Sequence, residues 1–212
     1  MFLTIAATIS GRGAAIFNRG KVQVTNTTFA RNVIRQPLFT GIADGIVIAN
    51  FGTGTLSLTN STLAENTAVE GDPFLRFRPV ISSATNARTF LQNTVLTHNA
   101  EDTFVQDCYG PITSLGNNLI SDTAGCGIVL QPTDLTGDPG LGPFTDNGKP
   151  GNGHFTLLPT SQAINAANNS VCPKKDQIGQ PRKPHCDIGA IESSHKHAPH
   201  DESESELVQS LP

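Results

Sequence analysis

Thr25–Asn32 reads TNTTFARN, and relatives of that octet return at Thr59–Asn66 (TNSTLAEN), at Gln92–Asn99 (QNTVLTHN) and, shortened to seven residues, at Gly116–Asp122 (GNNLISD). In each copy Asn26, Asn60, Asn93 or Gly116 stands three positions before an apolar residue, respectively Phe29, Leu63, Leu96 and Leu119. Asn or Asp closes each unit, at Asn32, Asn66, Asn99 and Asp122. All three positions recur at steps of 34, 33 and 23 residues. A fixed period of this size marks a repeat architecture, and it has to be recognised before any single residue is interpreted.

Within a unit the pattern is that of a strand: β-branched residues are common, apolar and polar positions alternate, and Asn or Gly sits at the ends. One unit is too short to bury anything. Stacked on its copies at a strand spacing of about 4.8 Å, it aligns Phe29, Leu63, Leu96 and Leu119 in one apolar row and the asparagines in ladders at the corners. Two further strands precede each unit. Gly13–Gly20 (GAAIFNRG) matches Gly45–Gly52 (GIVIANFG) at a step of 32, and Ile81 follows Ile48 by 33. Val22 and Val24 match Leu56 and Leu58, and Leu91 continues the second of those rows. The prediction is an all-β solenoid, a parallel β-helix with three short strands per coil of roughly 20–25 residues.

The longer steps carry about ten extra residues each, in Val33–Asp44 (VIRQPLFTGIAD) and Thr67–Pro79 (TAVEGDPFLRFRP). Both contain Pro, which suits a loop or an edge, and insertions at equivalent points of a solenoid emerge side by side. They supply the candidate binding residues Arg35 and Phe39 from the first, and Asp72, Phe74, Arg76, Phe77 and Arg78 from the second, with Leu38 and Glu70 alongside. Aromatic faces suit sugar rings and protein partners, and guanidinium forks suit the carboxylates of acidic glycans. The competing reading has Phe74 and Phe77 plugging the flank while the arginines pair with Glu70 and Asp72.

Three segments are expected over the 212 residues: coils over 1–130, a loop-rich C-terminal cap over 131–192, and a disordered acidic tail over 193–212. The cap carries Leu135, Leu141, Phe144, Phe155, Leu157, Leu158 and Ile164, enough apolar surface to close the end of a solenoid. A net charge of −4 and a pI near 5.8 leave no electrostatic footprint for nucleic acid. No apolar run reaches membrane-spanning length. Met1–Ser10 lacks a basic start and runs into the first coil, so it reads as a strand and not as a signal peptide.

The four cysteines allow three pairings. Cys108 and Cys126 bracket the last coil, and Cys172 and Cys186 bracket VCPKKDQIGQPRKPHC, so local pairing is expected. No C-x-x-C occurs, which argues against zinc, and disulfides imply an oxidising compartment.

The repeated GxxIxNxG with TNST resembles the pectate-lyase-like superfamily of right-handed parallel β-helices. SLGNNLISD, the Cys108/Cys126 bracket, DLTGDPGLGPFTDNG, HFTLLPTSQAINA and DQIGQPRKPHCDIGAIE resemble bacterial surface proteins of the polymorphic outer-membrane-repeat type that end in a choice-of-anchor Q domain. Together these stretches cover almost everything from Gly13 to Glu192. The resemblance implies a right-handed helix in an exported protein, extracellular or at the cell surface, often with an anchoring signal after the terminal domain. Beyond Glu192 this sequence has the acidic tail, without an apolar anchor.

Because the superfamily includes polysaccharide lyases and glycoside hydrolases, catalysis is the alternative to adhesion. A glycosidase needs two carboxylates facing one groove, and a lyase needs a base beside an acidic sugar. The solenoid stretch has no adjacent Asp pair, and Gly151–His154 (GNGH) falls in the cap. Arg31, Glu65, His98 and Ser121 share one corner position, where Glu65 beside His98 would be an acid/base pair and a cross-coil polar stack is the plainer reading. His195, His197 and His200 read as an incidental cluster. Asn26, Asn60 and Asn168 match the N-x-S/T pattern as a by-product of the repeat. The expectation is a monomeric, non-catalytic protein without cofactor, contacting glycans or surface proteins.

Overall fold

The computed structural model describes residues 2–3, 6–8, 15–35, 45–69, 78–97, 99, 105–146, 148–149 and 151–194. Among the described residues there is no α-helix, only strands and one 3-10 turn at Asn169–Val171. The chain opens with β1 (Phe2–Leu3) and β2 (Ala6–Thr8). One turn comes next as β3 (Ile16–Asn18), β4 (Lys21–Thr25), β5 (Thr28–Ala30) and β6 (Val33–Arg35), and a second as β7 (Ile48–Asn50), β8 (Thr55–Thr59), β9 (Thr62–Ala64) and β10 (Thr67–Val69). Then come β11 (Arg78–Ser83), β12 (Arg88–Gln92) and β13 (Val95–Thr97), β14 (Val105–Ser114) and β15 (Leu119–Ile120), and β16 (Cys126–Val129) and β17 (Leu135–Thr136). An antiparallel pair, β18 (Leu141–Thr145) with β19 (His154–Leu157), lies outside the stack.

All other strand pairs are parallel. They join each strand to its counterpart one turn away, in the orders β1-β5-β9-β13-β15-β17, β2-β6-β10, and an eight-stranded sheet into which the long β14 merges β3-β7-β11 with β4-β8-β12. An all-β stack of parallel strands is what a parallel solenoid requires. The predicted rows hold: Ile16, Ile48 and Ile81 are in register, as are Val24, Leu58 and Leu91. Their side chains meet Phe29, Leu63 and Leu96 in one interior core.

Two details differ from the sequence reading. The residues that follow the closing Asn do not all belong to the insertions, because the first three of each segment form a fourth strand per turn, with β6 paired to both β2 and β10. The fourth copy of the repeat is also shifted by one residue. Leu96 pairs with Ile120, and Val95 with Leu119, so the step is 24. Gly116 and Asn117 both adopt positive φ (92° and 56°), which adds one residue to that corner, and Asn117 takes the left-handed place of Asn26, Asn60 and Asn93 (φ 48°, 45° and 50°). Since strand side chains alternate, a slip of one turns Ile120 inward and Leu119 outward. Ile120 accordingly belongs to the interior core, and Leu119 to a second cluster with Val95, Leu157, Ala163, Ile164 and Ile188.

That second cluster locates the C-terminal segment. It lies along the side of the β5-β9-β13-β15 sheet, so each of those strands is covered on both faces. Phe155 packs on Ala30 and Ala64, with Leu141 and Phe144 beside it. Thr62 Oγ1 accepts from the Ala190 amide at 3.1 Å. The corner asparagines fasten the segment: Asn93 Nδ2 donates to the Asn168 carbonyl (3.1 Å), Asn93 Oδ1 accepts from the Asn168 amide (2.8 Å), and Asn117 Nδ2 donates to the Ala166 carbonyl (2.9 Å).

The closing asparagines build the interior ladder. Asn32 Nδ2 donates to Asn66 Oδ1 and Asn66 Nδ2 to Asn99 Oδ1, each at 2.8 Å, and Asn99 Nδ2 ends on Asp107 Oδ1 at 3.0 Å. Both disulfides are local, Cys108–Cys126 and Cys172–Cys186, and no described cysteine is free.

Candidate functional site

Among the described residues, the carboxylates that gather around one cation are closed to any substrate. Asp176, Asp187 and Glu192 surround Arg182, and the side chains of Arg182 and Glu192 are each 2% exposed with Nη1 3.1 Å from Oε2. Asp187 accepts from the amides of Asn165 and Ser193, Glu192 from those of Lys183 and Asp187, and Asp176 from those of Ile178, Gln180 and Glu192. Arg182 Nη2 reaches Asn26 Oδ1 at 3.0 Å. With their oxygens taken by backbone amides, these groups clamp the C-terminal segment to the first turn. Asp107 is spent in the same way. It is buried, accepts from Asn99, Ser121 Oγ and the Asp122 amide, and has its pKa raised chiefly by burial, against the pull of those hydrogen bonds.

Of the candidate binding residues, Phe39, Asp72, Phe74, Arg76 and Phe77 lie outside the described residues, as do His98 and the histidines 195, 197 and 200. Arg35 closes β6 and Arg78 opens β11. At the corner stripe, Arg31 Nε pairs with Glu65 Oε2 at 2.7 Å in the open, and the Arg31 guanidinium lies 4.5 Å from the Phe144 ring centroid. The polar stack is therefore present between the first two copies. Register gives its fourth place to Asp122 and not Ser121, in keeping with the one-residue slip. No group of three or more His, Cys, Asp or Glu among the described residues is arranged to hold a metal ion.

An exposed face of a different composition lies on the other side of the stack. The alternation in β4 turns Val22 and Val24 inward and Lys21, Gln23 and Thr25 outward. In β12 the same rule sends Thr89 and Leu91 in, and Arg88, Phe90 and Gln92 out. Lys21, Thr55 and Arg88 are register partners, so the two cations stand two strand spacings apart, about 9.6 Å. Phe90 stands in the next column, in register with Ser57 and Thr113. Around the corner Phe17 is 45% exposed, and its ring centroid lies 6.2 Å from that of Phe51 at an interplanar angle of 31°. The Arg19 guanidinium sits 5.6 Å from both centroids, within cation–π range.

A buried polar ladder supports this corner from inside. Asn18 Nδ2 donates to Asn50 Oδ1 (2.8 Å) and to the Thr55 carbonyl (3.1 Å), while Asn50 Nδ2 donates to Thr89 Oγ1 and to the Arg88 carbonyl, both at 2.9 Å. Residue 54 has to be glycine for the ladder to approach, since a Cβ there would stand 2.4 Å from Asn50 Oδ1. The side chains that project outward thus spring from fixed backbone. Beyond Phe90 the face runs into a cleft of about 290 Å³ lined by Pro111, Thr113, Ser114, Gly127, Val129 and Gln131.

Among the described residues the strands that carry these cations hold no acid, and Asp134 stands only at the cleft end, where its Oδ2 accepts from Ser114 Oγ. No Asp or Glu occurs in 15–35, 45–64 or 78–99. Among the described residues Arg19, Lys21 and Arg88 form no ion pair. The chain is polarised: through Ala100 it carries eight Lys/Arg against four Asp/Glu, a net +4, and thereafter six against fourteen, a net −8, which together make the overall −4. Net charge alone hides this division, and counting the two halves separately is the sequence signal that exposes it.

Comparison with family models, with curated proteins and with solved structures finds no match to this chain.

Proposed function

We propose that the parallel stack is a right-handed β-helix of the pectate-lyase-like kind, resembling polymorphic outer-membrane-repeat proteins with a choice-of-anchor Q segment. Its work is that of an exported scaffold binding glycans or surface proteins without catalysis. Fold alone does not carry function, so the reading rests on a site. The observation that carries it is the Phe17–Arg19–Phe51 cluster, in which an exposed ring and an exposed guanidinium adjoin a half-buried second ring at one corner. Aromatic faces with an adjoining charged fork are what sugar rings and protein hot spots pair with. Two disulfides favour an oxidising compartment, and no described helix is long and apolar enough to cross a membrane. The test is capture from arrays of glycans and surface proteins by wild type and by Phe17→Ala/Phe51→Ala. Expected is binding that the double variant loses while its thermal melt stays close to wild type. Binding indifferent to both rings refutes the site. Release of reducing or unsaturated sugars would instead establish the lyase or hydrolase alternative.

A further inference from the structure

We propose that the face formed by Arg19, Lys21 and Arg88 together with Phe17, Phe51 and Phe90 binds an acidic polysaccharide, its carboxylates on the cations and its rings on the aromatics. This deepens the proposed function and rests on that face being a contact surface. Three observations point to an anionic partner. Among the described residues the strands that carry the cations hold no Asp or Glu, in a protein whose overall charge is negative. They are exposed, and among the described residues none is paired with a carboxylate, so no internal ion pair has to break on binding. Lys21 and Arg88 are also spaced along the stack, their backbone positions about 9.6 Å apart at two strand spacings. That is the scale of a disaccharide repeat, so a chain running along the stack presents an acidic group to each cation in turn. Phe51 beside Arg19 and Phe90 beyond Arg88 flank the row and supply stacking surfaces that a purely electrostatic patch would lack. The disulfides favour the compartments where such glycans, and not nucleic acids, are the abundant polyanions.

The probes are hyaluronan, carboxyl-reduced hyaluronan, neutral dextran and single-stranded DNA, titrated calorimetrically against the full chain. Expected is binding to hyaluronan that weakens with added salt, disappears on carboxyl reduction and is absent for dextran. Lys21→Ala/Arg88→Ala should weaken it about tenfold or more, the scale of losing two charge-assisted contacts. Phe90→Ala should weaken it without changing the salt dependence. Each side chain is at least partly exposed, and a melt close to wild type verifies that the variants fold. Equal binding of dextran, or hyaluronan binding untouched by the cation variants, overturns the acidic-glycan assignment. If Phe17→Ala/Phe51→Ala still abolishes array capture in that case, the contact-surface reading survives. DNA binding as tight as hyaluronan binding, with the same sensitivity to Lys21 and Arg88, overturns the ligand class. Binding of none of the four probes overturns the proposal outright.

Discussion

Replacing Asn66 with alanine removes the middle member of the ladder that runs from Asn32 through Asn99 to Asp107. Asn66 is fully buried. Its Oδ1 accepts from the Asn32 amide (3.1 Å) and from Asn32 Nδ2 (2.8 Å), while its Nδ2 donates to Asn99 Oδ1 (2.8 Å) and to the carbonyls of Phe29 (3.1 Å) and Ala64 (3.2 Å). Alanine removes the acceptor that serves two Asn32 donors and the donor that serves Asn99 Oδ1 and two carbonyls, and supplies nothing in return. At about 0.5–1.5 kcal/mol net for each of the five hydrogen bonds lost, the cost is about 2.5–7.5 kcal/mol, and entry of a water into the vacated space draws it toward the lower end. Against the 5–15 kcal/mol typical of whole domains this is a large fraction. The neighbouring Glu65→Gln breaks only the exposed pair with Arg31 and should change stability by no more than about 1 kcal/mol. Urea unfolding followed by circular dichroism measures both, with the slope checked for constancy. If Asn66→Ala falls within about 1 kcal/mol of wild type, or matches Glu65→Gln, the ladder is not a principal source of stability and the argument fails.

Three further outcomes are expected. Burial holds the Asp107 pKa above the ordinary aspartate value of 3.8, so the folded protein takes up this proton before the unfolded chain does; the resulting stabilisation is full below 3.8 and is lost as pH rises through the folded value. The melting temperature of wild type minus that of Asp107→Asn should therefore grow as pH falls from neutral toward that value, and a flat or shrinking difference refutes it. Ile120→Ala should loosen the stack itself, whereas Leu119→Ala should raise hydrogen exchange mainly in residues 157–188, and the opposite assignment would restore the 23-residue step. Peptide mapping without reductant should recover the 108–126 and 172–186 pairs, and Cys172→Ala/Cys186→Ala should lower stability by about 3 kcal/mol, the scale of opening a loop of that length.

The stack was legible because its apolar rows are singular. Ile16, Ile48 and Ile81, or Phe29, Leu63 and Leu96, each offer one bulky residue at the required step, and their pairing obeys the sequence. At Leu119-Ile120 two bulky neighbours compete, and nothing local says which faces in, because the answer depends on how many residues the Gly116–Asn117 corner consumes. The fourth strand was hidden for another reason: Val33–Arg35 and Thr67–Val69 open segments that continue into Pro-containing sequence, and their pairing is visible only when both are laid beside Ala6–Thr8. The lateral position of the C-terminal segment left a faint trace. Ala30 and Ala64 stand on the outer side of their strands, where a solvated sheet would carry polar side chains, and small apolar residues there signal a second layer. The cation face leaves no mark in the overall charge or in the longest insertions, because Arg19, Lys21 and Arg88 sit on regular strands or at their ends.

A stack of turns in which each touches only its neighbours should come apart piecemeal, fraying from either end. The segment after β17 alters that expectation. It meets Asn26 and Thr28 in one turn, Asn60 and Thr62 in the next, Asn93 and Val95 in the third and Asn117 and Leu119 in the fourth, so loosening any one of them means peeling a strap that grips the other three. The strap should thereby turn a one-dimensional array into an object that melts as a unit, with its weakest turn lent the cooperativity of the rest.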